Sequence, residues 1–217
     1  MKIKSLDKLQ DLINSDLIWR KKELIDLKLN IRLTENPIYI RAALSLLSAH
    51  FEGFIKQIAN YYILYVSSQN IPFSKLKSNF TAIYSFDKMK QYSESNKISI
   101  YNNSFLSSLL FEYNNTKFKI KYSTNKPIIK TKGNPTSIIF EDIIYTIGLD
   151  FSPYETKRNF IDSDLLSNRH KIIHGEKLYI SRIDFEQTLS NIFNIMETFH
   201  EQVFQAAYNR EYLLNVV

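Results

Sequence analysis

Apolar residues recur every three to four positions along most of the chain, and this spacing predicts a mainly helical protein. A first amphipathic helix is expected from residue 5 to about residue 31, with Ser5 or Asp7 as its cap. Its apolar side chains are Leu9, Leu12, Ile13, Trp19, Leu24, Ile25 and Leu27. The charged run of Arg20, Lys21, Lys22 and Glu23 is expected to form a solvated face.

A second helix is predicted to begin at Asn36-Pro37, because Asn caps helices well and Pro suits the first helical position. The helical spacing continues to about Tyr65. The core-facing stripe consists of Leu44, Leu47, Phe51, Phe54, Ile55, Ile58 and Tyr62.

The other side of this second helix carries a narrow polar arc, formed by Arg41, Ser45, Ser48, Glu52 and Lys56, with the small residues Ala42, Ala49 and Gly53 beside it. Glu52 followed by Lys56 is the favourable order for a helical ion pair. One interpretation is a solvated pair that contributes a few tenths of a kcal/mol. The other is a polar line that faces a catalytic helix, with Glu52 orienting an Arg or a His there.

Residues 69 to about 136 have a different texture, rich in Lys, Ser and Asn, with too few apolar residues for a separate core. We interpret them as an insertion. Within it, residues 117–122 alternate strictly between Lys and apolar residues, which predicts a half-buried strand with an outward lysine face. Six lysines and no acid lie between Glu112 and Glu141: Lys117, Lys119, Lys121, Lys126, Lys130 and Lys132. They form either a solubilising row that protects a sheet edge or a ridge that binds RNA phosphates.

Three further helices are predicted in the last third of the chain. The first covers Ser137 to Leu149, with Ser137 as its cap, and the last starts near Ser181 or Asp184 and continues past Tyr208. The middle helix runs from about residue 162 or 164 and ends in the sequence NRHKIIHGE at 168–176. Gly175 is its expected stop, because Gly accepts the left-handed conformation that closes a helix.

Composition narrows the class of protein. The chain has 217 residues, of which 44% are hydrophobic, and it has no cysteine. The absence of cysteine excludes a disulfide framework and fits a reducing cytoplasm. We see no leader and no apolar run of about 18 residues, so neither secretion nor a membrane-spanning segment is supported, and no membrane partner is expected. The net charge of +6 favours a polyanionic partner, although many soluble proteins are mildly basic.

Several common chemistries are disfavoured. His170 and His174 share a helix face, but a zincin requires Glu where this chain has Lys171, and no cluster supplies a third ligand. No Gly-framed Ser and no phosphate-binding Gly loop is present. We therefore expect no metal and no cofactor.

Arg169 and His174 together suit phosphodiester chemistry. Arg can hold a phosphate, and a neutral His can accept or donate a proton near pH 7. This pair is sufficient for attack by an RNA 2′-hydroxyl on its own 3′ phosphate. Five residues correspond to about 140° around a helix, so the two side chains flank a cleft and do not touch.

Arg169-x4-His174 at a helix end, followed by Gly, resembles the R-x4–6-H signature of the HEPN superfamily (higher eukaryotes and prokaryotes nucleotide-binding). Three further stretches resemble one prokaryotic branch of that superfamily, found in defence and toxin–antitoxin settings: Ala49 to Lys56, Leu165 to Glu176, and the final helix with Met196 to Phe199 and Ala206-Ala207. The resemblance extends over residues 37 to 66 and 137 to 213.

The resemblance implies a mostly α fold, a four- to five-helix bundle formed by residues 1–217 as a single domain, with an insertion at about 69–136 that has room for a short β-hairpin. It implies a homodimer whose motif helices build one composite RNA-cleaving site without metal. Arg169 and His174 are then the catalytic pair, and the supporting candidates are Glu52, Lys56, Asn168, His170 and Lys171. An antitoxin or defence-system protein is an expected partner. Some toxin members carry a Tyr two residues after the His, where this chain has Glu176.

One alternative stays open. The chain could be a non-catalytic HEPN-like module that binds RNA, a nucleotide or a protein, with Arg169 paired to an acid such as Asp162 or Glu176. A DNA-binding regulator is disfavoured, since no compact helix-turn-helix with a cationic recognition helix is apparent.

Overall fold

The computed structural model describes residues 1–34, 36–93, 106–107, 109–111, 113, 116–120, 127–131 and 133–214. Its α-helices include α1 (Leu6–Thr34), α2 (Pro37–Ser68), α3 (Ser78–Ser93), α4 (Ser137–Thr146), α5 (Asn168–Ile173) and α6 (Arg182–Tyr208). Short 3₁₀ turns occupy Phe73–Lys75 and Ser152–Lys157, and a π-helical segment, Phe160–Ser167, leads directly into α5. The prediction of a mostly α fold is confirmed.

Local sequence signals determine where the long helices begin. The side chain of Asn36 accepts a hydrogen bond from the backbone N–H of Ile38 at 2.9 Å, and Pro37 is the first helical residue, as predicted. Ser181 and Asp184 form a reciprocal capping box at the start of α6. These side chains accept hydrogen bonds from backbone N–H groups that have no partner within the helix.

Helix α4 begins differently from the prediction. Thr136, not Ser137, is its cap and accepts a hydrogen bond from the N–H of Ile139. Ser137 instead donates from its N–H and its hydroxyl to the carboxylate of Asp162, at 2.7 and 2.5 Å. These two bonds join the start of α4 to the π-helical segment.

The long helices α1, α2 and α6 pack against one another, and α2 also packs against α4 and α5. Every residue of the stripe predicted for α2 is buried. Phe140 of α4 lies edge-on to Phe51 of α2 and to Phe199 of α6, with ring centroids 5.6 and 5.7 Å apart. Helix α2 is therefore the central element against which the candidate site is positioned.

The prediction that Arg20 lies on a solvated face of α1 is wrong, because Arg20 is only 9% exposed. Its Nε lies 2.6 Å from Oδ2 of Asp16, and its Nη1 donates to the backbone carbonyl of His50. Gly53 of α2 makes room for it, since a Cβ there would lie 2.7 Å from Nη1 of Arg20. The partners of Arg20 come from a helix turn earlier in α1 and from α2, so the local charge run gave no sign of burial.

The described part of residues 69–136 shares the core of the bundle, with Phe73, Phe80, Phe118 and Ile129 buried in it. Within that part, residue 117 forms only an isolated bridge with Pro72, so the predicted strand is wrong there. The reason is that the backbone donors of 118 and 120 bond to Ile71 and to the Ser67 hydroxyl at the end of α2. Lys121 and Tyr122 lie outside the described residues.

None of the helices in the described residues is long and apolar enough to cross a membrane.

Candidate functional site

The Arg169–His174 segment is anchored from its N-terminal side. Leu165 and Leu166, in the π-helical segment just before α5, are buried in the core. π-Helical turns inside helices occur often at functional sites. The buried pair holds the last turns of this helix against α2, while the residues that follow emerge towards solvent.

Gly175 ends the helix as predicted. It has a φ of +78°, and the N–H of Gly175 bonds to the carbonyl of Ile172 while the N–H of Glu176 bonds to that of Lys171. This pair of bonds is a Schellman motif. His174 is the C-cap residue, with φ −86° and ψ 6°. Its ring therefore stands at the exposed end of the helix.

The polar arc of α2 faces this helix end at one point. Nη2 of Arg41 donates a hydrogen bond to the backbone carbonyl of Glu176 at 2.9 Å. The Nε of Arg41 is buried and has no hydrogen-bond partner in the described part of the chain. Arg41 thus fixes the turn that follows His174 and brings a further cation beside it.

The basic side chains of the motif are accessible. Arg169 and Lys171 are partly exposed and His170 and His174 are exposed. Among the described residues, none of these four side chains makes a hydrogen bond or an ion pair. The rings of His170 and His174 lie 4.2 Å apart between centroids, at an interplanar angle of 56°. These side chains are free to bind an anion.

The alternative in which Arg169 pairs with an acid is wrong within the described residues. The carboxylate of Asp162 accepts from the backbone N–H and the hydroxyl of Ser137. Glu176 contributes only its backbone, through Arg41 and Lys171. Asn168, a supporting candidate, donates from Nδ2 to the carbonyl of Asp164 at 2.9 Å, one turn earlier.

Glu52 has other partners than the two interpretations of the sequence predicted, namely Lys56 or an Arg or a His of the catalytic helix. Its carboxylate accepts hydrogen bonds from the Thr131 hydroxyl and from the N–H of Gly133, the latter at 3.1 Å. It forms no ion pair with Lys56 in the described structure, and it holds the insertion against α2 instead of orienting Arg169 or His174. The contact lies 79 residues away in sequence, beyond what helical spacing can indicate.

The lysines of the insertion divide by position along α2. Lys117 and Lys119 are exposed beside its C-terminal end, where residues 118 and 120 bond to Ile71 and Ser67. The motif lies at the other end, beside Arg41, roughly 40 Å away at about 1.5 Å per helical residue. Lys130 is exposed near the middle of α2, whereas Lys121, Lys126 and Lys132 lie outside the described residues.

A cavity of about 310 Å³ lies between the motif helix and α6; we call it the α5–α6 groove. Its lining residues are Leu44, Phe160, Asp164, Asn168, Tyr179, Ile180, Asp184, Gln187, Thr188 and Asn191. Sequence reasoning missed it as a site. The available signal was the polar spacing of 184, 187 and 191 on one face of α6, opposite 164 and 168.

A second, more open cavity of about 520 Å³ shares Gln187 with the groove. Lys28, Arg32 and Arg182 line it together with Glu186 and Ile183. Nη2 of Arg32 lies 2.5 Å from Oε2 of Glu186, and Lys28 lies 3.4 Å from the same oxygen. The hydrogen bond from Arg32 lowers the pKa of the Glu186 carboxyl to about 2.

A family model described as RiboL-PSP-HEPN matches residues 15–205, which includes the motif helix end and both cavities. The chain belongs to the RiboL-PSP-HEPN family. This membership confirms the HEPN superfamily predicted from the sequence. No curated protein and no solved structure matches the chain. Membership of this family supports an RNase-like or nucleotide-binding module.

Proposed function

We propose that this RiboL-PSP-HEPN chain is a metal-independent endoribonuclease that cleaves RNA by attack of a ribose 2′-hydroxyl on the adjacent 3′ phosphate. The observation that carries the proposal is the accessible helix end, where Arg169, His170 and His174 make no ion pair among the described residues. A buried or paired arrangement would leave no group to bind a phosphate.

The chemistry needs one proton acceptor, one proton donor and a cation. The guanidinium of Arg169 holds the phosphate and stabilises the charge that develops on its oxygens. A neutral His174 accepts the proton of the 2′-hydroxyl as the 2′ oxygen bonds to phosphorus. The bond to the 5′ oxygen breaks, and that oxygen takes a proton from an imidazolium. The products are a 2′,3′-cyclic phosphate and a free 5′-hydroxyl.

A second copy of the chain supplies the missing half of this site in our proposal. One helix places Arg169 and His174 about 140° apart, so they do not close on one phosphate. With two copies, Arg169 of one chain and His174 of the other close on one phosphate, and that His174 passes the proton it takes from the 2′-hydroxyl to the leaving 5′ oxygen. Lys171 adds positive charge around the scissile group, and the ring of His170 lies 4.2 Å from that of His174.

The surface around the motif supports such pairing. The contacts of Arg41 with Glu176 and of Arg32 with Glu186 bring the end of α1, the start of α2, the motif turn and the start of α6 to one end of the bundle. We call this the motif end. Its large exposed apolar side chains are Leu33, Ile38, Tyr39, Ile173, Tyr179 and Ile183. Apolar side chains concentrated in this way mark protein–protein interaction surfaces.

The first test is RNA cleavage in EDTA. We expect the wild type to release fragments that end in a 2′,3′-cyclic phosphate, and Arg169→Ala and His174→Ala each to lose at least about a hundredfold in rate. Lys22→Ala, which removes an exposed cation of α1, is the matched control. Equal activity of the wild type and both motif variants would refute the assignment.

The second test addresses the composite site. Ile173→Glu should yield monomers in sedimentation and lose cleavage, because a charge would be placed at the motif end. Mixing Arg169→Ala with His174→Ala should restore part of the activity, since a mixed dimer holds one intact Arg and one intact His. If mixed dimers form and remain inactive, the two residues act within one copy.

The defence or toxin–antitoxin setting is part of the same proposal and rests on the sequence resemblance. It predicts that expression in a bacterial host slows growth, and that the Arg169→Ala, His174→Ala double variant relieves the effect. The non-catalytic alternative predicts another outcome: salt-dependent RNA binding with no cleavage by the wild type.

A further inference from the structure

The α5–α6 groove is lined mainly by polar side chains from two helical segments. Asp164 and Asn168 lie one turn apart on the motif side, while Asp184, Gln187 and Asn191 line the α6 side. Leu44, Phe160 and Ile180 also line it, although Leu44 and Ile180 are buried, and Tyr179 is 80% exposed. A volume of about 310 Å³ lies at the lower end for small-ligand pockets and suits a ligand as small as one nucleobase.

Charge separates the groove from the motif beside it. The groove contains two carboxylates and no cation, whereas Arg169, His170 and Lys171 follow directly after Asn168. A phosphate would be repelled from the groove and attracted to the motif. A nucleobase has no charge, and its N–H groups can donate hydrogen bonds to carboxylates. An RNA chain bound at Arg169 would therefore place a base, and not a phosphate, in the groove.

The carboxylate of Asp164 is the group that would recognise the base. It makes no hydrogen bond among the described residues, while one oxygen of Asp184 is already used by Ser181 at 2.6 Å. Guanine presents two adjacent N–H donors on its Watson–Crick edge, which match the two oxygens of one carboxylate. Adenine and cytosine place a ring acceptor beside their amino group, and a carboxylate repels it. The amides of Gln187 and Asn191 can donate to the guanine O6.

We propose that the α5–α6 groove is a base-binding subsite that selects guanine through Asp164, next to the phosphate held by Arg169. The inference rests on the proposed function for the identity of the polymer, because it takes RNA as the ligand. It goes beyond that function in assigning a sequence preference and the residue responsible for it.

The test is binding of uncleavable RNA, so that it does not depend on catalysis. The probes are 2′-O-methylated pentanucleotides, UUGUU and the same sequence with inosine, adenine or cytosine at the centre, measured by fluorescence anisotropy. We expect wild type to bind the guanine probe about tenfold or more tightly than the adenine and cytosine probes, with inosine intermediate because it lacks the amino group. Asp164→Asn should reduce the preference to less than about twofold, because an amide offers only one acceptor oxygen.

Asp11→Asn is the matched control, since it removes one carboxylate from an exposed position near the other end of α1 and should leave the preference unchanged. Gln187→Ala, also at an exposed position, is an independent variant. It should weaken binding of the guanine probe more than binding of the other three probes. Equal affinity of wild type for all four probes, or a guanine preference that persists in Asp164→Asn, would overturn the subsite. Cleavage of unmodified RNA without base preference would leave the proposed function standing. A guanine preference lost in Asp164→Asn, with no cleavage of unmodified UUGUU, would leave the subsite and remove the nuclease.

Discussion

Nη2 of Arg41 and the backbone carbonyl oxygen of Glu176 are joined by a hydrogen bond of 2.9 Å. The bond connects the first turns of α2 with the turn that closes the motif helix, 135 residues later. Because the turn begins directly after His174, whatever holds it also limits how far the His174 ring can move.

We expect Arg41→Ala to loosen this turn without unfolding the bundle. The loss of one charged hydrogen bond at a partly exposed position should lower the free energy of unfolding by about 1 kcal/mol. Amide hydrogen exchange at 174–178 should become faster, while exchange in the middle of α2 and α6 stays slow. The comparison is Lys22→Ala, and unchanged exchange at 174–178 in Arg41→Ala would contradict the positioning role.

Gly175 and Gly148 give a matched pair for backbone strain, because both have a φ of +78°. A Cβ at Gly175 would meet nothing within 4 Å, whereas one at Gly148 would lie 2.9 Å from the Asn79 side chain. Gly175→Ala should therefore cost only the strain of the left-handed conformation, about 1–2 kcal/mol. Gly175→Asn should cost less, and Gly148→Ala should cost more. Chemical denaturation measures all three, and a reversed order would disprove the account.

Gly53→Ala should destabilise the protein although Ala favours helices by about 1 kcal/mol. The new Cβ would lie 2.7 Å from Nη1 of Arg20 and displace a guanidinium that is bound to Asp16 and is 9% exposed. Disturbing a buried ion pair costs about 3–5 kcal/mol when a partner is lost, so a net loss of about 1–3 kcal/mol is expected. In an Arg20→Ala background the same change should be neutral or stabilising. A loss of equal size in both backgrounds would exclude Arg20 as the cause.

His50 predicts a pH dependence of stability. Its ring is 4% exposed, and burial lowers the pKa of its imidazole; Arg20 acts in the same direction, while Glu23 and Asp16 oppose it. The Nε2 atom lies 3.2 Å from Oε2 of Glu23 but without hydrogen-bond geometry, so burial dominates. The unfolded chain then binds the proton near pH 6.5, before the folded chain does. The contribution of neutral His50 to the free energy of unfolding is therefore present in full above that pH, and it is lost as the pH decreases below it.

The measurement is the free energy of unfolding of wild type and His50→Gln between pH 8 and pH 5. We expect a smaller decrease for His50→Gln, which cannot bind the proton. Burial also lowers the pKa of His200, so the difference between the two profiles, and not the wild-type slope alone, isolates His50. Parallel profiles would contradict the assignment.

The long helices and their ends could be predicted because the signals are local. Asn36 with Pro37, Ser181 with Asp184, and Gly175 each act within a few residues of their own position. The Arg169–His174 helix end belongs to the same class, since spacing and a terminal Gly were enough to identify it.

Contacts between distant segments could not be predicted. The burial of Arg20 depends on the absence of a side chain at Gly53, and the orientation of Glu52 depends on Thr131. Alternation at 117–122 correctly placed Phe118 inside and Lys117 outside, but alternation cannot show whether a backbone donor meets a strand or a helix end. The α5–α6 groove likewise exists only once two helices are side by side.

The π-helical segment Phe160–Ser167 also has a genetic consequence. Its turns are wider than those of an α-helix, so the segment accommodates a residue that a regular α-helix of the same length would exclude. Deleting one codon there would remove the additional residue and allow regular α turns, so the later side chains of the helix would keep their direction. Arg169 and His174 would then still face the same way, whereas one codon deleted from a regular α-helix rotates every later side chain by about 100°. This segment is thus the part of the helix in which the chain length can change by one residue without turning Arg169 and His174 away.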